Sequence, residues 1–272
     1  LMWGVNWPIM KLSLQALTPL YFRAFTMSGG ALALLAFFMW RGVRMWPRAS
    51  EWPAIVKLGL PNILGWHTLA IFGVQALASG RAAILGFTMP VWAVVLGALF
   101  FQQPLTRRSV LAASAVVLAV ALLLADEWSR LAGSPVGVAV MLGAACSWAV
   151  GTLLMRRTVH SMPTETLTVW MLLAGSACLW IMAAVFEPFP TWQFSPTMWW
   201  VLLYGITMNY GIAQVIWFSL AKRLPPAVSA MSVMMVPLIG TGSATVLVGE
   251  WPHWQDGVAV VCVMLGIAAV LL

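Results

Sequence analysis

Long apolar stretches separated by short polar connections run along the whole chain. A helix that crosses the hydrocarbon core of a bilayer needs about 20 predominantly apolar residues. Stretches of this kind, the first of them truncated, cover residues 1–14, 17–40, 53–74, 77–101, 109–125, 135–155, 164–186, 196–220, 225–248 and 255–272. The pattern therefore predicts an all-α polytopic membrane protein with ten transmembrane helices. Because Leu1 lies inside an apolar run, we expect the natural N-terminus, and a C-terminal tail, to extend beyond this sequence.

The amino-acid composition agrees with a membrane protein and excludes an ordinary soluble domain. Hydrophobic residues make up 62% of the 272 residues and charged residues 8%, whereas soluble domains are about 25% charged. The net charge of +7 does not indicate nucleic-acid binding, because the basic residues lie in short clusters between apolar stretches. The three cysteines lack the spacing of a metal site. We therefore expect a lipid bilayer around the protein, no nucleic acid, no metal and no cofactor.

The basic clusters predict the orientation of the chain. They follow the second, fourth, sixth and eighth apolar stretches and consist of Arg41, Arg44 and Arg48, then Arg107 and Arg108, then Arg156 and Arg157, then Lys222 and Arg223. The alternate connections are poorer in Lys and Arg and hold most of the acidic residues. Since cytoplasmic connections are enriched in Lys and Arg, the pattern places both termini in the cytoplasm.

The chain contains two similar halves. Pro90 and Pro237 each lie inside an apolar helix and are 147 positions apart. The run Trp3-Gly4-Val5 recurs 145 positions later as Trp148-Ala149-Val150. These spacings predict a first repeat over residues 1–126, truncated at its N-terminus, and a second repeat over 135–272, which together form one transmembrane domain. Since each repeat has five helices, the second enters the membrane inverted, which is typical of secondary transporters.

Several of these features resemble a known family. The opening WGVNWPIMK, the paired proline-containing fourth and ninth helices, and the run RLPPAVSAMSVMMVPLIG followed by Gly249-Glu250 are similar to the EamA-type members of the drug/metabolite transporter superfamily. The richness in tryptophan and methionine resembles the YddG-type aromatic amino-acid exporters of bacteria. The resemblance implies two inverted five-helix repeats in the inner membrane, with a central cavity between helices 1–4 and 6–9. It also implies export of aromatic and other neutral amino acids from the cytoplasm.

The eighth apolar stretch carries the clearest candidate substrate site. Thr207, Tyr210, Gln214 and Trp217 recur at i, i+3, i+7 and i+10, which places hydroxyl, amide and indole groups on one face of an α-helix. Polar groups inside a membrane segment mark transport pathways. The alternative is a hydrogen-bonded packing surface between helices.

Other polar and aromatic residues extend this candidate cavity. His67 lies well inside the third stretch and, at an offset of 147 positions, is equivalent to Gln214. The alternative is a neutral packing histidine. Asn6 lies close to Pro8, whose ring frees a backbone carbonyl for a polar ligand. The remaining candidates are Trp66, Trp92 and Trp148 as aromatic walls and Pro90 and Pro237 as hinges.

The charges that are missing from the apolar stretches define the expected substrate. No Asp or Glu lies near the middle of any stretch, which disfavours a proton-coupled exporter of cationic drugs. Arg23 lies in the second stretch, but a lone arginine is a weak basis for an anionic sugar-phosphate site, and its side chain is expected to reach the membrane interface or to bond backbone carbonyls. We therefore expect a secondary transporter for neutral or zwitterionic substrates with an apolar body, working by facilitated efflux or, second, by proton coupling through His67.

Three alternatives to an amino-acid exporter follow from the same residues. An exporter of other small metabolites or of cationic compounds shares the predicted fold. A non-transporting membrane subunit would have a cavity too small for an amino acid. A membrane enzyme is disfavoured, because the three histidines are scattered and no intramembrane acid accompanies them.

Overall fold

The computed structural model describes residues 1–102, 104–129, 134–216 and 226–271, with the side chains of 226–234 and 270–271 left out. Within these ranges every regular element is a helix, and no strand occurs. The α-helices are α1 Met2–Ser13, α2 Pro19–Trp40, α3 Trp52–Gly59, α4 Trp66–Ala76, α5 Ser79–Gly86, α6 Met89–Phe101, α7 Arg107–Ser129, α8 Pro135–Arg157, α9 Thr164–Phe186, α10 Pro196–Tyr204, α11 Pro226–Val248 and α12 Trp254–Leu271. A 3₁₀ turn covers Ala49–Glu51, and π-helices cover Leu60–Gly65 and Gly205–Ile212.

Within the described ranges, six helical segments are long and apolar enough to span a membrane. By length and composition alone these segments can cross a bilayer: Pro19–Trp40, Ala49–Ala76, Ser79–Phe101, Arg107–Ser129, Pro135–Arg157 and Thr164–Phe186. Shorter apolar helices cover Met235–Val248 and Trp254–Ala269. The chain is therefore a helical, multi-pass membrane protein, as its hydropathy pattern predicts.

The predicted helix at 77–101 is interrupted, which corrects the expectation of a single helix there. It consists of α5, which ends at Gly86, and α6, which begins at Met89. The cause is Pro90, because a proline has no N–H and its ring clashes with the carbonyl four residues earlier, here that of Gly86. Pro237, by contrast, lies inside the continuous helix α11.

Two predicted α-helices contain π-helical segments instead of regular turns. The first, Leu60–Gly65, contains Pro61, which cannot donate a backbone hydrogen bond. The second is Gly205–Ile212. A shift of the first segment by 147 positions gives 207–212, which falls inside the second. Such wider turns occur frequently at functional sites.

The strongest packing joins helices from different halves of the chain. Helix α1 packs against α11, α2 against α9, α4 against α8, and α7 against α12. Helix α2 also packs against the π-helix Gly205–Ile212. Glycines allow this close approach, since a Cβ at Gly4 would overlap Ile239 and one at Gly205 would overlap Thr26.

A buried charge cluster ties α5 to α7 and α12. The guanidinium of Arg81, 3% exposed, forms ion pairs with Asp126 at 2.8 Å, with Asp256 at 2.8 Å and with Glu127. The second carboxylate oxygen of Glu127 accepts a hydrogen bond from the backbone N–H of Ser134 at 2.7 Å. One cation thus holds three acidic side chains that would otherwise be buried as unpaired charges.

Other acidic side chains cap helices across the two halves. Glu187, after α9, accepts hydrogen bonds from the backbone N–H groups of Leu20 and Tyr21 at the start of α2. Glu250, after α11, accepts from the N–H and the hydroxyl of Ser79 at the start of α5, both at 2.6 Å. The first N–H groups of a helix have no partner within it and carry partial positive charge, so these carboxylates stabilise both helix starts.

Replacing Arg81 by glutamine should strongly destabilise the protein. The substitution leaves three buried carboxylates without their cation, and removal of one partner of a buried ion pair costs about 3–5 kcal/mol. Thermal unfolding of the detergent-purified protein measures this loss. Arg41→Gln is the matched control, because it removes the same charge from an exposed connection. Equal unfolding temperatures for the two variants would contradict the structural role of the cluster.

Candidate functional site

Three buried side chains from three elements form a hydrogen-bonded chain in the interior. Arg23 of α2 donates from Nη1 to the hydroxyl of Tyr210 at 3.2 Å, and that hydroxyl lies 3.2 Å from Nδ1 of His67 in α4. Their exposed fractions are 3%, 2% and 9%. Because Tyr210 belongs to the second half of the chain and the other two to the first, the chain joins both halves at one point.

The chemistry of the groups determines the direction of one of the two hydrogen bonds. A guanidinium has donors only, so the Tyr210 oxygen accepts from Arg23. Between the Tyr210 hydroxyl and Nδ1 of His67 either group can donate, depending on which ring nitrogen carries the proton. Tyr210 therefore connects a permanent cation to a titratable ring.

The guanidinium of Arg23 is only partly satisfied. Nη2 donates to the sulfur of Met10 in α1 at 2.6 Å, and a thioether is a weak acceptor. Nε is buried and has no acceptor in the described part of the chain. None of the ion pairs among the described residues includes Arg23.

Gly30 of α2 determines where Tyr210 lies. A Cβ at Gly30 would overlap the Cβ of Tyr210, and the next-nearest atom is the backbone oxygen of Ile206. Tyr210 lies in the π-helix Gly205–Ile212. The close approach of α2 and the π-helix therefore brings Tyr210 within reach of Arg23.

A row of aromatic rings accompanies the polar chain. Trp66, next to His67 in sequence, has its ring centroid 6.4 Å from that of Trp7 and 5.5 Å from that of Trp148, both in edge-to-face geometry. Trp7 also contacts Phe87, at the break between α5 and α6, with centroids 6.2 Å apart. Edge-to-face contacts are the favoured arrangement of aromatic pairs. Three indoles thus form a continuous aromatic row, of which Trp66 precedes His67 in α4.

Four of the predicted site residues are brought into two contacting pairs. His67 contacts Tyr210, with ring centroids 5.5 Å apart, and Trp66 contacts Trp148. Asn6 is buried in α1. Their roles in substrate binding remain predictions.

The other predicted site residues lie elsewhere or make local contacts. The hydroxyl of Thr207 donates to the Leu203 carbonyl at 2.7 Å, and Nε1 of Trp92 donates to the Thr88 hydroxyl at 3.1 Å. Gln214 is half-buried beyond the π-helix, and Trp217 lies outside the described residues. The predicted single face for this set assumed regular α-helical spacing, which the π-helix Gly205–Ile212 does not have.

Arg23 is a residue that the sequence pattern brought to notice but that was not predicted to belong to the site. Its side chain was expected to reach the interface or to bond backbone carbonyls, but it is buried and bonds Tyr210 and Met10. The expectation was wrong because hydropathy does not show which face of α2 meets other helices. The available signal was the rarity of a charged residue within an otherwise apolar membrane stretch.

Comparisons with known proteins place this chain among transporters. The sequence profile of the EamA-like transporter family matches residues 1–125 and 135–272. The uncharacterized transporter YoaV of Bacillus subtilis is 21% identical over 240 residues, covering 88% of this chain and 82% of YoaV. A probable terminal-alkyne amino-acid exporter of Streptantibioticus cattleyicolor is 28% identical, covering 99% of this chain and 89% of that protein. A probable amino-acid metabolite efflux pump of Salmonella typhimurium is 23% identical, covering 97% of this chain and 89% of that protein.

A solved structure has the same fold. It matches this chain with a TM-score of 0.69 at 22% sequence identity, covering 98% of this chain and 93% of the other. At this identity the likeness concerns the fold alone.

Gly30→Ala should destabilise the protein by disturbing the site. The added Cβ meets the backbone-attached Cβ of Tyr210, which cannot move away as the end of a flexible side chain could. Overpacking of this kind costs about 1–3 kcal/mol. Gly257→Ala is the matched control, because a Cβ there meets no atom within 4 Å. Thermal unfolding of the purified variants makes the comparison, and an unchanged unfolding temperature for Gly30→Ala would contradict the packing argument.

Proposed function

This chain belongs to the EamA-like transporter family, and on that premise we propose that it is a secondary transporter that exports aromatic and other neutral amino acids. The export would run from the bacterial cytoplasm through the inner membrane. The observation that carries the proposal is the buried chain of Arg23, Tyr210 and His67, together with a row of three contacting indoles that includes Trp66, the residue before His67. Polar groups could hold the head of a zwitterion, and indoles could stack on its aromatic side chain.

The names of two relatives support amino acids as the substrate class. One is named a probable terminal-alkyne amino-acid exporter and the other a probable amino-acid metabolite efflux pump. We propose aromatic specificity because the indoles of Trp7, Trp66 and Trp148 contact one another and Trp66 precedes His67 in sequence. The proposed substrate contacts are Asn6, Trp66, His67, Trp92, Trp148, Thr207, Tyr210, Gln214 and Trp217.

We further propose ten transmembrane helices in two inverted repeats, residues 1–126 and 135–272, that alternate access to the site. Three features support this arrangement: the equivalent positions of the two π-helices, the packing of helices across the two halves, and a polar chain that joins them. Movement of one half relative to the other would break and remake that chain. Pro90, at the break between α5 and α6, and Pro237, inside α11, are the proposed hinges.

The arginine-rich connections place both termini in the cytoplasm in this proposal. Arg41, Arg44 and Arg48 lie on one such connection, and Arg156 and Arg157 lie at the end of α8. Cytoplasmic connections of membrane proteins are rich in these residues.

A cationic substrate is the second candidate, and it fits the site less well. In the described part of the chain the nearest charged partner of Tyr210 and His67 is the Arg23 cation, and no carboxylate bonds any of the three. A cationic drug would therefore meet a charge of its own sign. A non-transporting subunit is a further alternative, which only a flux measurement excludes.

Reconstituted flux tests the proposed function. In proteoliposomes that contain only this protein we expect saturable flux of radiolabelled phenylalanine, weaker flux of threonine, and no flux of a cationic dye. Indole surfaces favour the larger aromatic side chain, and Arg23 repels the dye. Dye flux without phenylalanine flux would move the protein to the drug exporters. If phenylalanine, threonine and the dye all fail to cross the membrane, the proposed substrate assignment is wrong.

Replacement of His67 tests its place in the site. His67→Ala removes the hydrogen bond between Nδ1 of His67 and the Tyr210 hydroxyl and should lower phenylalanine flux about tenfold, since the loss of a buried hydrogen bond costs about 1 to 1.5 kcal/mol. His253→Ala, at an exposed histidine before α12, is the matched control. Flux through the wild-type protein should not respond to a pH gradient if efflux is facilitated. Unchanged flux and pH dependence in His67→Ala would exclude His67 from the transport site.

A further inference from the structure

Arg23 differs from the buried Arg81 and from Arg44 in having no ion-paired carboxylate among the described residues. Arg81 is paired with three acidic side chains, and Arg44 with Glu51 at 2.8 Å. Arg23 is just as buried as Arg81, with 3% of its surface exposed, yet its described partners are a phenol and a thioether. A buried cation without a counter-charge is costly in a membrane protein and marks a functional site.

The Nε side of the Arg23 guanidinium has an unused donor. Of the five N–H groups, one on Nη1 is donated to Tyr210 and one on Nη2 to the sulfur of Met10. Nε is buried and has no acceptor among the described residues. The Nε–Nη2 edge of a guanidinium presents two parallel N–H groups that match the two oxygens of a carboxylate. For Nε and Nη2 together, the described residues supply one acceptor, the Met10 sulfur, which accepts weakly.

The surroundings of that edge fit a carboxylate attached to an apolar body. Met10 is an unbranched and adaptable side chain that can give way to a ligand. Trp7 lies three residues before it in α1, which places both on one face of that helix. Trp7 in turn contacts Trp66, the neighbour of His67. The apolar part of a ligand held at Arg23 therefore has indole rings within the same part of the interior.

We infer that Arg23 binds the carboxylate of the transported substrate through its Nε–Nη2 edge. This inference rests on the proposed function and narrows it. The carboxylate is the required group of the substrate, so aryl carboxylates without an amino group bind, whereas aryl amines without a carboxylate do not. Tyr210 accepts from Nη1, which does not belong to this edge, and helps to hold the guanidinium in place.

Ligand binding to the detergent-purified full chain tests the inference without any flux. The probes are phenylalanine, 3-phenylpropionate and phenethylamine, which share a phenyl ring and differ in their charged groups. Each is titrated while the unfolding temperature is followed, since a ligand that binds the folded state raises it. We expect phenylalanine and 3-phenylpropionate to stabilise the wild-type protein and phenethylamine not to do so. Stabilisation by phenethylamine equal to that by 3-phenylpropionate would overturn the inference.

Two substitutions at Arg23 separate charge from geometry. Arg23→Gln should weaken 3-phenylpropionate binding roughly 10- to 100-fold, the size expected when a charged hydrogen bond is lost. Arg23→Lys keeps the charge but not the two parallel donors. Its affinity for 3-phenylpropionate should therefore fall between those of the wild type and Arg23→Gln. Arg41→Gln, which removes an arginine from an exposed connection, should bind like the wild type. Wild-type affinity in a folded Arg23→Gln variant would overturn the inference.

The failure of this inference can be told apart from the failure of the proposed function. Phenylalanine flux that persists in Arg23→Gln proteoliposomes keeps the exporter and removes Arg23 as the carboxylate site. Carboxylate binding that depends on Arg23, without any phenylalanine flux, keeps the site and removes the proposed export of amino acids. If neither Arg23 variant folds, the inference is still tested by the wild-type protein. It stands if the two carboxylates stabilise the protein and phenethylamine does not, and it fails if phenethylamine stabilises it equally.

Discussion

The burial of charge inside an apolar helix bundle is the constraint on which the rest of this structure depends. Water is absent from the hydrocarbon region, so each polar group there must find its partner within the protein. The structure meets this requirement with acidic side chains at helix ends. Glu187 and Glu250 cap the first turns of α2 and α5, and Arg81 holds Asp126, Glu127 and Asp256. These contacts link helices far apart in sequence, and they orient α2 and α5 relative to the second half.

Among the described residues, Arg23 is buried without the acidic partners that the other buried arginine, Arg81, has. A fold that provides three carboxylates for one buried arginine leaves another with a phenol and a thioether. Satisfying Arg23 permanently with an acidic residue would stabilise the fold but would also occupy the edge that a substrate carboxylate needs. A buried cation without a permanent counter-charge can bind an anion reversibly. A protein that must release its ligand therefore benefits from leaving such a cation unpaired.

Backbone irregularities concentrate around the same region. The π-helix Leu60–Gly65 precedes His67, and the π-helix Gly205–Ile212 contains Tyr210. At the break between α5 and α6, Phe87 contacts Trp7. Irregular backbone is tolerated in a membrane protein where it is buried by protein or lines a cavity. Pro61 in the first π-helix and Pro90 at the break therefore belong to segments that help to place the side chains of this region.

The sequence by itself determined the helical class and most element positions, because the length and hydrophobicity of a membrane segment are local properties. The apolar stretch 164–186 coincides with α9, and His67 and Tyr210 were each recognised as buried polar residues. Only the tertiary structure decided that these two side chains meet across 143 positions and that Arg23 joins them. The reason is that α2 is largely apolar around its circumference, so its sequence does not show which residue of the second half Arg23 meets, and only packing against that half decides it.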